Sequence, residues 1–206
     1  MGESLLAGLR VVDLAGEPGQ WCGRILADLG AEVVKMEGPR GDPLRGLPHR
    51  FAAMNAGKSS IAADPGLLGR CDVVITTPGW PGVLELDPAL APQAVWVSIT
   101  PFGSDGPRSG WRASDLGVMA ATGNLYATGD PDRPPVRCAE PIAYAHSGPE
   151  AALAALLALG SGRPQHVDVS MQETVLVANM GAPGRSARTP FPGRRTGAAT
   201  GRMRRC

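Results

Sequence analysis

The sequence is poor in aromatic residues, in clustered metal ligands and in long apolar runs. Phe, Trp and Tyr make up 4% of the 206 residues, so the core must be built from Ala, Val, Leu and Ile. The four cysteines are widely spaced and form no C-x-x-C motif, so neither a metal site nor a disulfide framework is expected. The longest apolar run, residues 151–159, is too short to span a bilayer, and no membrane association is expected.

The N-terminus lacks the basic stretch and apolar run of a signal peptide, which predicts a cytoplasmic, reducing location. Acidic residues are missing from residues 181–206, which carry seven arginines, whereas residues 1–180 carry 13 basic and 19 acidic residues. Periodicity also ends at Gly181. We therefore predict a folded lobe over residues 1–180 and a disordered basic tail over residues 181–206. Nucleic-acid binding by the tail is not favoured, because only Phe191 is interleaved with its arginines.

Short β-branched runs alternate with helical patterns along the chain, which predicts an α/β protein with a Rossmann-like, doubly wound, mostly parallel sheet. Ser147 and Glu150 have the spacing of a capping box, which predicts the start of a helix that ends at Gly160. Residues 38–57 are predicted to be a loop. The predicted strands are 9–14, 32–37, 59–62, 72–76, 95–100 and 166–170, and the other predicted helices begin at Gln20, Asp115 and Met171.

Four segments occur in an order that resembles the class III CoA-transferases, a family that includes formyl-CoA transferase, carnitine CoA-transferase and α-methylacyl-CoA racemase. They are residues 8–14 with 27–37, residues 55–61 (N-A-G-K-S-S-I), residues 97–103 and residues 162–173. The resemblance implies coenzyme A, as acyl-CoA, and a carboxylic acid as ligands. It also implies a second domain, which residues up to 206 do not supply, and an interlocked dimer.

The catalytic residue of that family is an aspartate that attacks the acyl-CoA thioester and passes through a mixed anhydride. The resemblance places Tyr144 at this position, and a phenol with a usual pKa of about 10 cannot follow that route. Glu140 and His146 are the nearest ionisable substitutes, although each is better explained as a solvated surface residue. Asp115 fits the family pattern, either as an active-site residue or as an acid at a helix N-terminus. The racemase reaction is disfavoured, because Ser114 and Tyr144 replace its proton carriers.

The side chains that the resemblance suggests for CoA binding lie on loops and strand ends. The arginines and lysines would donate charge-assisted hydrogen bonds to phosphates, or else are merely solvated. The tryptophan would stack on adenine, or else cover the end of the sheet. These candidates are Lys35, Arg40, Arg45, Lys58, Trp80 and Phe102.

Two functions are compatible with this pattern. The first is a CoA-transferase-like protein that binds acyl-CoA and moves CoA between carboxylic acids. The second is a catalytically impaired remnant, a structural or partner-binding lobe that forms a homodimer or pairs with a full-length relative. Nothing after Met180 resembles the family, so the tail is interpreted as a truncated or frame-shifted stretch, with a natural basic tail as the alternative.

Overall fold

The computed structural model describes residues 4–180, and these residues form one parallel sheet with helices around it. The predicted strands are confirmed, each within one or two residues of its expected bounds. The strands are β1 (Arg10–Asp13), β2 (Glu32–Glu37), β3 (Ser59–Ala62), β4 (Val73–Thr76), β5 (Val95–Thr100) and β6 (His166–Ser170).

All six strands are parallel, and their order across the sheet is β3-β2-β1-β4-β5-β6. The chain therefore builds outwards from β1 to β3 and then crosses back to β4 on the other side of β1. This reversal places a topological switch point between β1 and β4, where ligands bind in doubly wound sheets. The α/β, doubly wound prediction is confirmed.

Within residues 4–180, six α-helices and several short 3₁₀ turns lie between and after the strands. Helix α1 ends before Gly30, whose φ of +99° suits a glycine beyond a helix C-terminus, as predicted. The α-helices are α1 (Gln20–Asp28), α2 (Pro48–Asn55), α3 (Asp115–Ala121), α4 (Asn124–Ala127), α5 (Ile142–Gly160) and α6 (Met171–Val177).

The two faces of the sheet are covered unequally. Val95, Val97 and Ile99 of β5 pack into the larger core with residues of α1, α3, α5 and α6. Trp96 points to the opposite face and packs with a smaller cluster under the 3₁₀ turns. Because successive strand residues alternate between faces, Ser98 and Thr100 also lie on this second face.

Two local predictions were wrong. Residues 38–57 contain α2, because Leu44 and Met54 are buried and Pro48 begins the helix without losing a needed hydrogen bond. Helix α5 begins at Ile142, so Ser147 is not an N-cap. Its buried hydroxyl instead donates to the carbonyl of Ala143, 2.8 Å away, inside the helix.

Candidate active site

The switch point between β1 and β4 is filled by protein. The backbone N–H of Gly16 donates to Thr77 Oγ1 at 2.9 Å, which joins the loops after the two strands. Trp80 lies directly on Gly16, since a Cβ atom there would stand 2.3 Å from the indole Cδ1. Only about 10 Å³ of free space is enclosed between this loop and the ends of β1 and β2.

Tyr144 lies in the first turn of α5 and is buried beneath Trp80. The two rings meet edge to face, with centroids 5.7 Å apart. The phenol oxygen accepts a hydrogen bond from the backbone N–H of Asp115 at 3.0 Å. Burial raises the pKa of Tyr144 to about 12, despite the opposing effect of that hydrogen bond. The side chain is therefore a neutral phenol whose oxygen already accepts a hydrogen bond.

Asp115 makes the reciprocal contact, from α3 to the first turn of α5. Its Oδ1 accepts from the backbone N–H of Ala143 at 2.8 Å, and the side chain is buried at the start of α3. Each helix thus supplies an acceptor for an N–H group that the first turn of the other leaves unpaired. The pair Tyr144–Asp115 therefore joins the N-termini of α3 and α5, and Asp115 provides the cap that Ser147 does not.

Glu17 and Arg50 are site residues that sequence reasoning missed. Glu17 opens the 3₁₀ turn after β1, and its Oε1 lies 2.8 Å from Arg50 Nη2. The same Nη2 lies 3.8 Å from Glu140 Oε2. The signal available in the sequence was the position of Glu17 just after the first strand, where loops of this fold carry functional residues.

The predicted substitutes for the aspartate differ in environment from Tyr144. The Glu140 side chain is 78% exposed, and its recorded ion pair is the long one with Arg50. His146 lies on α5 two residues after Tyr144 and is also exposed. The structure thus places both near the site but outside its buried part.

Lys58 lies inside the protein with all three ammonium hydrogens engaged. Its Nζ donates to Asp13 Oδ2 at 2.7 Å, to the Gln20 carbonyl at 2.8 Å and to Asn55 Oδ1 at 2.9 Å. Burial lowers the pKa of Lys58, and the Asp13 carboxylate opposes that effect. Gly23 leaves room for the pair, because a Cβ atom there would stand 2.5 Å from Asp13 Oδ2.

Lys35 is similarly internal. Its Nζ lies 2.8 Å from Asp42 Oδ2 and donates to the Ala15 carbonyl at 2.9 Å. Gln20 Nε2 donates to the same Asp42 oxygen, so the Lys35 and Lys58 pairs belong to one buried network. In this structure the two lysines hold the loops after β1 and β2 together, and neither ammonium faces solvent.

The two arginine candidates remain closer to solvent. Arg45 donates from Nε to Glu37 Oε2 at 2.7 Å and lies over the Phe51 ring, with about half of its side chain exposed. Hydrogen bonding from Arg45 lowers the pKa of Glu37 from its usual 4.5 to about 2. Arg40 is exposed in the turn after β2.

An open cleft of about 700 Å³ lies beside the filled switch point, against β5 on the second face of the sheet. Trp80 and Trp111 both line it, and Phe102 supports Trp111 through an edge-to-face contact at 6.0 Å. Its floor carries the Thr100 hydroxyl, which is buried without a hydrogen-bond partner among the described residues. This cleft has the size and mixed lining of a small-molecule site.

The fold and this edge of the sheet define a doubly wound α/β protein of the kind that binds ligands at strand carboxyl ends. The model of CoA-transferase family III matches residues 6–203, and the chain belongs to that family. The match continues well beyond Met180, so the expectation that nothing after Met180 resembles the family was wrong. Residues 181–206, including the predicted disordered tail, lie outside the described residues.

Similar proteins include the succinate–glutarate CoA-transferase of Agrobacterium fabrum, 33% identical over 81% of this chain and 50% of that protein. The formyl-CoA:oxalate CoA-transferase of Streptomyces avermitilis is 32% identical, with 83% and 49% covered. A solved CAIB/BAIF family protein from Brucella suis has a TM-score of 0.84 and 29% identity, with 94% of this chain and 60% of that chain covered. The chain spans about half the length of the curated relatives that it matches.

Two further findings concern the described part of the chain. Within residues 4–180, no helix combines the length and apolar character needed to cross a membrane. The same residues contain no group of three or more His, Cys, Asp or Glu side chains arranged to hold a metal ion.

Proposed function

We propose that this chain binds an acyl-CoA at the carboxyl edge of its sheet and transfers CoA between carboxylic acids. Membership of CoA-transferase family III carries the proposal. Relatives named for succinate, glutarate and formyl-CoA:oxalate transfer indicate small carboxylic acids as the class of acceptor. We expect the protein to act in the cytoplasm. We also expect it to form a homodimer or to pair with a full-length relative.

The open cleft is the place that best suits the ligand. Its tryptophans offer flat surfaces for the adenine or the pantetheine arm, and Ser104 and Arg112 offer exposed polar groups. Arg40 and Arg45, at the rim of the neighbouring loop, retain the exposure needed to contact phosphates. We assign Lys35 and Lys58 a structural role in holding the loops, and no contact with phosphates, because their ammonium groups donate inside the protein.

Ligand binding can be tested separately from turnover. Coenzyme A at about 100 times its dissociation constant should add roughly 2.7 kcal/mol to stability, which is visible as a raised melting temperature. Trp80→Ala should weaken this shift, because it removes an aromatic wall of the cleft. Leu157→Ala, on an exposed position of α5, is the control and should leave the shift unchanged. Absence of any shift with millimolar CoA would contradict the proposal.

A partner-binding lobe is the second candidate, and the uneven covering of the sheet favours it. Clefts of about 380 and 700 Å³ open over β5 and β6 on the second face, where the described residues place no helix. Thr100 lines the larger of them, and its buried hydroxyl has no hydrogen-bond partner among the described residues. Association of this chain with a longer family member, with CoA binding absent, would support this function over transfer.

A further inference from the structure

We propose that Glu17 supplies the catalytic carboxylate of this site, in place of a carboxylate at position 144. This inference rests on the proposed transferase function, because it assigns the nucleophile for that reaction.

Glu17 lies where the fold gathers functional groups. It is the first residue of the 3₁₀ turn Glu17–Gly19, directly after the loop that leaves β1 at the switch point. Its neighbour Gly16 is covered by Trp80, which in turn contacts Tyr144. The turn leads straight into α1, which packs on α5 closely enough that a Cβ atom at Gly148 would stand 2.3 Å from Trp21 Cβ.

The charge of Glu17 is held by one short contact. Arg50 Nη2 lies 2.8 Å from Oε1. Among the described residues, this is the one short polar contact of the Glu17 carboxylate. By contrast, Glu37 accepts from Arg45, Ser60 and the Asp42 backbone, which stabilises its charge and reduces its nucleophilicity.

The Glu17 carboxylate is also accessible. A quarter of its side chain is exposed, so the turn does not close it off from solvent. The charge of Glu17 is close enough to Tyr144 to contribute to its raised pKa, after burial, which keeps the phenol neutral beside it. A neutral phenol neither competes for the acyl group nor neutralises the carboxylate.

The other nearby carboxylates are less suited. Asp115 is buried and caps α5 through Ala143, so an acylated Asp115 would give up that helix contact. Glu140 is 78% exposed, and water would compete for any anhydride formed on it. Glu17 combines partial burial, a close counter-charge and fewer polar contacts than Glu37.

The reaction on Glu17 balances without another reagent. A carboxylate oxygen of Glu17 attacks the acyl carbon, the carbon–sulfur bond breaks, and CoA leaves as its thiolate. The thiolate then attacks the Glu17 carbonyl carbon, which releases the donor acid as carboxylate and leaves a glutamyl-CoA thioester. The acceptor carboxylate attacks that thioester and forms a second anhydride with Glu17. The freed thiolate takes the new acyl group, and the Glu17 carboxylate is regenerated.

The test is to trap the glutamyl-CoA thioester and locate it. The full chain is incubated with succinyl-CoA, reduced with borohydride, digested and analysed by peptide mass spectrometry. Reduction converts the thioester-bearing side chain to an alcohol, with the loss of one oxygen and the gain of two hydrogens. We expect this mark on the peptide that contains Glu17. CoA binding is measured in parallel by the melting-temperature shift.

Matched variants separate the role of Glu17 from its effect on folding. Glu17→Gln should abolish the mark and lower CoA transfer by roughly 10³-fold or more, with CoA binding retained. Glu150→Gln removes an exposed carboxylate of α5 that has no role in the site, and it should leave both the mark and CoA transfer unchanged. Glu17→Asp keeps a carboxylate one methylene shorter and should retain partial labelling, which protects the test if Glu17→Gln folds poorly.

The results distinguish the assignment of Glu17 from the proposed function. A mark on Asp115 or Glu140, a mark that persists in Glu17→Gln, or no mark in a protein that binds CoA would overturn the assignment of Glu17. A chain that does not bind CoA would overturn the proposed function itself, and the assignment with it.

Discussion

Replacing Lys58 with Met should destabilise the protein strongly, because it leaves the Asp13 carboxylate buried without its counter-charge. The two side chains are 1% and 0% exposed, and their charged atoms lie 2.7 Å apart. Breaking a buried pair by removing one partner costs about 3–5 kcal/mol. The substitution also leaves the Gln20 carbonyl and Asn55 Oδ1 without a donor that each now has.

The expected loss is a large share of the total. Domains of this kind have about 5–15 kcal/mol of stability, and each kcal/mol corresponds to about 2–4 °C in melting temperature at this size. A fall of roughly 6–20 °C is therefore expected for Lys58→Met. Adding Asp13→Asn should recover part of it, because an amide can still accept from the Ala15 N–H and carries no buried charge.

Urea unfolding followed by circular dichroism measures the free energy directly. The control is Arg10→Met, which breaks an ion pair of 3.7 Å between side chains that are 51% and 36% exposed. That change should cost at most about 1 kcal/mol. If Lys58→Met lowers the free energy of unfolding no more than this control does, the buried pair is no more stabilising than an exposed one. The structural role assigned to Lys58 would then be wrong.

Two further predictions concern the ionisable groups around the site. Tyr144→Phe should cost about 1–3 kcal/mol in urea unfolding, because it strands the buried N–H of Asp115, and equal stability would contradict that hydrogen bond. Arg45→Met should lower stability at neutral pH. Since Glu37 has a lowered folded pKa, the advantage of the wild type should be complete above pH 4.5 and disappear as the pH falls towards 2. A stability gap that is constant from pH 6 to 3 would refute this.

The positions of the strands could be predicted more completely than the site. Runs such as residues 73–76 and 95–100 are apolar and β-branched because parallel strands buried on both faces require it. The beginning of α5 could not be predicted, because its cap comes from Asp115, 28 residues away from Ala143. A local capping box was the available signal, and tertiary contacts overrode it.

The site residues show the same division. The segment N-A-G-K-S-S-I singled out Lys58 as a candidate for binding CoA phosphates, yet only the fold shows that its partner is Asp13, 45 residues away. Glu17 was passed over because a single acid in a turn has no distinctive sequence pattern. Its pairing with Arg50 depends on α2, a helix placed in a segment that was predicted to be a loop.

Tyr144 is therefore better understood as a residue that packs and bonds well in its site than as the mere loss of a catalytic carboxylate. Its ring packs on Trp80, and its hydroxyl pairs the first N–H of α3, while Asp115 does the same for α5. An aspartate side chain is too short to make the ring contact, so the two helix N-termini and the loop after β4 are adapted to a phenol. If the chain transfers CoA, the carboxylate must come from a neighbouring element, and the turn after β1 is the one that already holds a partly exposed glutamate beside a fixed arginine.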